Sequence, residues 1–232
     1  NDHVFYLGHC SSLRSNCRSD SVARCCQTAA TPRAPAAVSE RVRRLLRFGW
    51  QPADPPQRPV LLVNLASGGG KAARAALVDR ARERGIGVTV LRPDRSLTSL
   101  VGEAVKGGAD ALGIAGGDGS LAIVAATARA HGLPFVCVPA GTRNHFALDL
   151  GVDRHDLVGA LEAFTDGVER LIDVGSVNGR LFLNNVSLGV YGEAVRQSTY
   201  RDAKARTLFE TARQVLGPST TAPELRVVDD QG

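Results

Sequence analysis

The sequence predicts an α/β fold, a doubly wound parallel sheet followed by the start of an antiparallel β domain. From residue 59 onward, short apolar segments of strand length alternate with segments of helical length. Several of the apolar segments lead directly into loops that contain glycine. After residue 166 two strand-like segments are joined by Asn178 and Gly179. Strand–helix alternation favours a parallel sheet with helices on both faces, whereas an Asn-Gly pair favours a hairpin.

The first 57 residues are expected to form an irregular segment with one helix. Residues 1–37 show no sustained periodicity, so we expect little regular structure there. Residues 39–50 mix apolar residues with arginines, which predicts a short basic amphipathic helix. Such a helix docks on its own domain or lies on an anionic membrane surface, and the residues leave both alternatives open. The prolines within residues 51–59 then indicate a linker.

The α/β domain is predicted over residues 58–166. Strands are expected at residues 60–64, 87–91, 111–115 and 134–138. Helices are expected at residues 71–84, 96–106, 121–131 and 153–165. The strands are nearly continuous apolar runs, which is typical of strands that are buried on both faces of a parallel sheet.

Residues 167–232 are predicted to begin a second, β-rich domain that the chain does not complete. Strands are expected at residues 168–175, 180–188 and 224–229, and a long helix at residues 192–216. The chain contains no methionine and begins with Asn1. We therefore interpret it as a fragment or a processed product.

Composition and charge argue against several classes of function. No apolar segment approaches the roughly 18–20 residues that a membrane-spanning helix needs, so membrane contact would be peripheral. The formal net charge is +5, but residues 1–57 hold eight arginines against four acidic residues. The main domain is therefore nearly neutral, which argues against a nucleic-acid-binding face. The cysteines match no zinc-binding spacing, Cys137 is expected to be a small buried hydrophobic residue, and we expect a cytoplasmic protein.

Three loops that follow predicted strands carry the candidate chemistry. The first loop, residues 64–71, contains Asn64, Ser67, Gly68 and Lys71. Its glycines allow the backbone to approach an anion, and Lys71 adds a positive charge next to a helix N-terminus. It is not a Walker A loop, because the spacing and the terminal Lys-Ser/Thr pair are missing. Small-residue loops of this kind often only make tight turns.

The second loop is the most specific of the three, and it consists of Gly116, Gly117, Asp118, Gly119 and Ser120. Gly117 and Gly119 would permit positive φ angles and a close approach to phosphate. A carboxylate repels phosphate, so Asp118 points to Mg²⁺ binding or to the organisation of a substrate hydroxyl. The plainer alternative is that Asp118 only caps the following helix.

The third loop, residues 139–145, contains Gly141, Thr142, Arg143, Asn144 and His145. Thr142 and Asn144 offer short hydrogen-bonding side chains for phosphate or ribose. Arg143 either stabilises phosphoryl charge or faces solvent. His145 is interpreted as structural, because the sequence supplies no partner to orient it as a general base.

Together these loops resemble the catalytic domain of the diacylglycerol kinase-like lipid kinases, which include sphingosine, ceramide and bacterial lipid kinases. That family has an Asn-Pro-x-Ser-Gly loop, a Gly-Gly-Asp-Gly-Thr loop and a Pro-x-Gly-Thr-x-Asn-Asp-Phe-Ala segment. The resemblance covers about residues 59–232 and departs from the pattern at Leu65, Ser120 and His145, which replace Pro, Thr and Asp.

The resemblance implies an NAD kinase/diacylglycerol kinase-like fold and Mg²⁺-assisted transfer of the ATP γ-phosphate to a lipid hydroxyl. It implies a lipid substrate at a membrane surface, with peripheral contact at the inner face. The implied nucleotide-contacting residues are Asn64, Ser67, Gly68, Gly116, Gly117, Asp118, Gly119, Ser120, Gly141, Thr142 and Asn144. The family's general base lies in a later Asp-Gly-Glu-like motif, which is not present in these residues. We therefore expect this chain to bind nucleotide weakly and not to turn over.

Two alternatives remain open. Gly-Gly-Asp-Gly also occurs in NAD kinases, although residues 139–144 favour the lipid kinases. A non-catalytic nucleotide-binding module is the second alternative.

Overall fold

The structure, a computed structural model, describes residues 3–8 by their backbone and residues 49–186. The chain divides into two compact units, Asn1–Asn184 and Asn185–Gly232. All of the described helices and strands lie in the first unit.

The first unit is built on a seven-stranded sheet. Its strands are β1 (His3–Gly8), β2 (Gln51–Pro52), β3 (Pro59–Val63), β4 (Gly87–Val90), β5 (Ala111–Gly116), β6 (Phe135–Pro139) and β7 (Val168–Asp173). They lie in the order β2-β7-β1-β6-β5-β3-β4. The pairs of β3 with β4, β3 with β5, β5 with β6, and β1 with β6 are parallel. β7 runs antiparallel to both β1 and β2.

Helices connect the parallel strands and cover the sheet. They are α1 (Lys71–Arg74), α2 (Leu77–Glu83), α3 (Leu97–Lys106), α4 (Asp118–Ala130) and α5 (His145–Asp149), with 3-10 helices at Ser67–Gly69 and Gly159–Phe164. The Ser96 hydroxyl caps α3 by accepting a hydrogen bond from the Ser99 N–H at 3.1 Å.

The core has two layers, one on each face of the sheet. Along β3, Leu62 packs into a cluster with residues of α3 and α4, whereas Leu61 and Val63 pack into a cluster with residues of α1 and α2. Successive side chains of a strand point to opposite faces, so a continuous apolar run supplies both layers. The predicted doubly wound α/β fold is confirmed.

The predicted hairpin is also present. β8 (Gly175–Val177) pairs antiparallel with β9 (Arg180–Phe182). The turn residues Asn178 and Gly179 have φ angles of 49° and 72°. Both angles are positive, as a two-residue type I′ turn requires, and these residue types tolerate that conformation.

The expectation of little regular structure in residues 1–37 is wrong for His3–Gly8. This segment forms β1, which pairs with both β6 and β7. Its partners lie more than a hundred positions away in the chain, so local periodicity cannot reveal the pairing.

Two helix predictions need correction. The helix predicted at residues 71–84 is divided between α1 and α2, because Ala76 adopts a φ of 48° in the left-handed region. In place of the helix predicted at residues 153–165, only a 3-10 helix at Gly159–Phe164 forms. The Asp153 and Asp156 carboxylates accept hydrogen bonds from the N–H groups of His155 (3.0 Å) and Gly159 (2.7 Å). Such local bonds favour turns over a continuous helix.

Several predictions lie outside the described residues. They concern the helix at residues 39–50, apart from its last two residues, the helix at residues 192–216 and the strand at residues 224–229. The predicted domain boundaries also stay predictions, and the structure shows that β7 pairs within the main sheet. Across the described part of the chain, no helix has the length and apolar character that crossing a membrane requires.

Candidate functional site

The three loops lie at one edge of the sheet. They follow β3, β5 and β6, which are adjacent and parallel, so their carboxyl ends point the same way. This edge is where ligands bind in open α/β sheets.

Backbone contacts between glycines join the loops. A Cβ placed on Gly141 would lie 2.5 Å from the Gly117 Cα, and one on Gly68 would overlap the Ala140 carbonyl oxygen. These approaches are too close for any larger residue. The structure therefore brings the three predicted loops together.

The first loop is shaped by its own residues. The Asn64 N–H donates to the Ala115 carbonyl at 2.9 Å, and the Asn64 Oδ1 accepts a hydrogen bond from the Ala66 N–H at 3.1 Å. Gly68, Gly69 and Gly70 have φ angles of 57°, 68° and 85°. Glycine is the residue that adopts such angles without strain, so this glycine run determines the path of the loop.

The second loop enters its helix earlier than predicted. Gly117 is the N-cap of α4, with a φ of −94°, and Asp118 is the first helical residue. Gly119 lies within the helix and is absent from the positive-φ residues. Neither glycine uses the positive φ angle that its residue type permits. The loop is short because β5 ends at Gly116 and α4 begins at Asp118.

Asp118 connects the second loop to the third. Its two carboxylate oxygens accept hydrogen bonds from the N–H groups of His145 (3.2 Å) and Phe146 (3.3 Å), which begin α5. Asp118 therefore caps a helix, but not the helix that it begins. A helix N-terminus has unpaired N–H groups and a partial positive charge, and both favour a carboxylate there.

Asn144 shapes the third loop from inside the protein. It is 1% exposed, has a φ of 52°, and donates from Nδ2 to the Pro139 and Gly141 carbonyls at 3.0 and 2.9 Å. Both amide hydrogens are committed to carbonyls of its own loop. Its position therefore suits holding the loop in shape, whereas Thr142 and Arg143 are exposed beside it.

A second carboxylate lies near Asp118 and was not predicted from the sequence. Asp149 is the last residue of α5, one helical turn after His145. Partial removal from water raises the pKa of Asp149, the His145 side chain lowers it, and the negative charge of Asp118 raises it. The sequence signal for this carboxylate is its i, i+4 spacing from His145, which places the two side chains on one face of a helix. Asp149 therefore lies near both Asp118 and the His145 side chain.

The side chains of the described residues form no metal centre by themselves. Within residues 49–186, no three His, Cys, Asp or Glu residues are grouped so that they could hold a metal ion. Cys137 is buried, and burial raises the pKa of its thiol above the usual range. This agrees with the predicted role of Cys137 as a small buried hydrophobic residue.

A separate cleft of about 640 Å³ lies between the edge strand β4 and α3. Arg58, Thr89, Arg95 and Glu103 line it, and none of the predicted site residues does. This cleft is therefore distinct from the three loops.

Comparison with known proteins agrees with this arrangement. The family model described as the diacylglycerol kinase catalytic domain matches residues 58–177. A Pseudomonas aeruginosa protein named "Probable lipid kinase YegS-like" is 36% identical over 148 residues, covering 62% of this chain and 48% of that protein. The diacylglycerol kinase of Bacillus subtilis is 33% identical over 120 residues, covering 50% of this chain and 38% of that protein.

The chain spans about half the length, or less, of these relatives. A crystal structure of a candidate diacylglycerol kinase from Bacillus anthracis is 20% identical, with a TM-score of 0.47, over 70% of this chain and 57% of that one. Because the family model covers more than half of the residues, including all three loops, the chain belongs to the diacylglycerol kinase catalytic domain family.

Proposed function

We propose that the three loops bind ATP and that the protein serves transfer of the ATP γ-phosphate to a lipid hydroxyl. The observation that carries this proposal is the convergence of the loops, through contacts of Gly68, Gly117 and Gly141, at the carboxyl edge of the sheet. Because backbone contacts hold the loops together, their N–H groups and the N-terminus of α4 lie close to one another. Such groups favour phosphate.

The proposed nucleotide-binding residues fall into two groups. Asn64, Gly68, Gly116, Gly117, Gly141 and Asn144 set the backbone shape of the loops. Ser67, Gly119, Ser120 and Thr142 are at least partly exposed and so are available to a ligand. We assign Asn144 an indirect contribution, because its amide is buried.

Asp118 is the proposed ligand for Mg²⁺. Each of its carboxylate oxygens accepts one N–H, which leaves each with a further lone pair. Mg²⁺ usually takes one or two protein carboxylates and completes its shell with phosphate oxygens and water, so one carboxylate at this place fits. The bound ion would neutralise charge that develops on the phosphates.

The partners follow from this activity. We propose a lipid acceptor at a membrane surface, reached by peripheral contact from the cytoplasmic side, and no nucleic-acid partner. The membership in the diacylglycerol kinase family favours this function over NAD phosphorylation. A non-catalytic nucleotide-binding module is the second candidate, favoured by the commitment of the Asp118 carboxylate to α5.

We also propose that the 232 residues bind Mg·ATP without measurable turnover, because they contain no Asp-Gly-Glu-like motif to supply a general base. Titration calorimetry with Mg·ATP, followed by transfer from γ-labelled ATP to diacylglycerol, sphingosine or NAD, tests both statements. Failure to bind Mg·ATP at millimolar concentration would refute the ATP site. Labelled lipid would refute the lack of turnover, and labelled NAD would favour the alternative kinase.

A further inference from the structure

Arg74 folds back onto the glycine run of the first loop. It is the last residue of α1, and its guanidinium donates a hydrogen bond to the Gly69 carbonyl. A Cβ placed on Gly70 would lie 3.6 Å from the Arg74 Nη1, so the guanidinium also passes close to the Gly70 backbone. Lys71, by contrast, donates to the Gly141 carbonyl at 3.2 Å and joins the first loop to the third. The contact of Arg74 therefore lies within the first loop.

This contact restrains one peptide group of the glycine run from both sides. The carbonyl of the peptide between Gly69 and Gly70 accepts from the guanidinium, and its N–H donates to the Ser67 carbonyl at 3.0 Å. Both glycines have positive φ angles and no side chain to restrict them, so rotation of this peptide costs little without such bonds. Arg74 thus supplies a restraint that the glycines themselves lack.

The orientation of this peptide matters to an anion and to the junction of the loops. A carbonyl oxygen carries partial negative charge, and a guanidinium bonded to it offsets the repulsion that an approaching phosphate meets. Gly68 directly precedes Gly69 and packs against the third loop, where its Cβ would lie 2.3 Å from the Ala140 carbonyl oxygen. A rotation at Gly69 would therefore disturb the contact between the first and third loops as well.

We propose that Arg74 is a positioning residue of the nucleotide site, which holds the glycine run in its binding conformation without contacting the ligand. The inference rests on the proposed function and adds to it the residue that orders the first loop. A loop that already has its bound conformation loses little freedom on binding, so its affinity is higher than that of a loop that must be ordered first. Arg74 is exposed and is not among the residues proposed to bind nucleotide.

Three variants test this role. Arg74→Lys keeps a charged donor for the Gly69 carbonyl, whereas Arg74→Met removes both the donor and the charge. Arg80→Met is the matched control, because Arg80 is an exposed arginine on the next helix, α2. Amide hydrogen exchange, followed by NMR on the ligand-free protein, reports on the Gly70 N–H. Calorimetry measures the affinity for Mg·ATP and for inorganic tripolyphosphate.

We expect Arg74→Met to speed exchange of the Gly70 N–H and to weaken binding of both probes about 3- to 10-fold, as loss of one hydrogen bond typically does. Exchange of the Leu121 N–H, which donates to the Gly117 carbonyl at 3.1 Å, should not change, because the effect is local. Arg74→Lys should recover most of both losses, and Arg80→Met should match the parent. The ratio of parental to Arg74→Met affinity should change little as salt is added, because Arg74 acts through the loop and not through its charge on the ligand.

Unchanged binding by Arg74→Met would overturn the inference. An affinity difference that disappears at high salt would overturn it too, because Arg74 would then act on the ligand by charge. Equally faster exchange at Gly70 and Leu121 would reduce Arg74 to a general contribution to stability. If the parent binds tripolyphosphate in an Arg74-dependent way but does not bind ATP, the proposed function fails while the positioning role stands. If the parent binds neither probe, both fail.

Discussion

Asp118 offers the sharpest test of how the loops are held together. Asp118→Ala removes both acceptors for the N–H groups that begin α5. Asp118→Asn keeps one oxygen and the shape of the side chain but removes the charge. The two variants therefore separate the loss of a hydrogen-bond acceptor from the loss of a carboxylate.

The size of the effect follows from those two bonds. Replacing a helix-capping acceptor by alanine costs about 0.5–2 kcal/mol, and bonds to a charged group lie toward the upper end. His145 is exposed and Asp118 is partly exposed, so water replaces part of what is lost. We expect Asp118→Ala to lower the free energy of unfolding by about 1–2 kcal/mol, and Asp118→Asn by roughly half of that.

Urea unfolding, followed by circular dichroism, measures this difference. Asp79→Ala is the control, because Asp79 pairs with Arg82 at 3.8 Å on an exposed face, where ion pairs contribute little. If Asp118→Ala unfolds at the same urea concentration as the parent, the bonds to α5 contribute nothing. If Asp118→Asn then transfers phosphate at the parental rate in an active form of the enzyme, Asp118 has no catalytic or metal-binding role.

Three further substitutions give opposite or pH-dependent outcomes. Gly141→Ala places a methyl group 2.5 Å from the Gly117 Cα, so we expect a loss of about 1–3 kcal/mol in urea unfolding, together with weaker Mg·ATP binding. The methyl group of Gly119→Ala has no atom within 4 Å, and the residue lies inside α4, where alanine is favoured over glycine. We therefore expect the free energy of unfolding to rise by up to about 1 kcal/mol. A decrease would contradict the helical assignment. The pKa of Asp149 is raised in the folded state, so its carboxyl group stays protonated at pH values somewhat above the ordinary pKa of 3.8. The free energy of unfolding therefore falls as the pH rises from 3.8 through the folded-state pKa. Asp149→Asn should remove this part of the pH dependence, and unfolding curves that fall as steeply as the parent's would refute the assignment.

Much of the site could be predicted because its signals are local. A strand followed at once by small residues and a helix is readable in residues 111–121, and the order of such units implies adjacent parallel strands. The predictions failed where side chains compete with the backbone. Asp153 and Asp156 bond to nearby N–H groups and form turns, although their segment has the composition of a helix.

The partner of each polar group could not be predicted. Asp118 has the sequence position of a cap for α4, yet it binds N–H groups of a helix 27 and 28 residues further along the chain. Asn144 resembles a ligand-binding residue, yet it is buried among the carbonyls of its own loop. Which donor meets which acceptor depends on how the strands are ordered in the sheet, and that order is a long-range property.

By itself, the sequence determined the α/β alternation, the three loops and their common edge, because periodicity and glycine placement act over a few residues. Only the tertiary structure decided that β1 fills a place between β6 and β7, that Lys71 and Asp118 join neighbouring loops, and that Asn144 bonds within the third loop. The physical reason is the range of the interactions. Backbone preference acts between neighbours in the chain, whereas hydrogen bonds and close packing act between whatever groups the fold brings together.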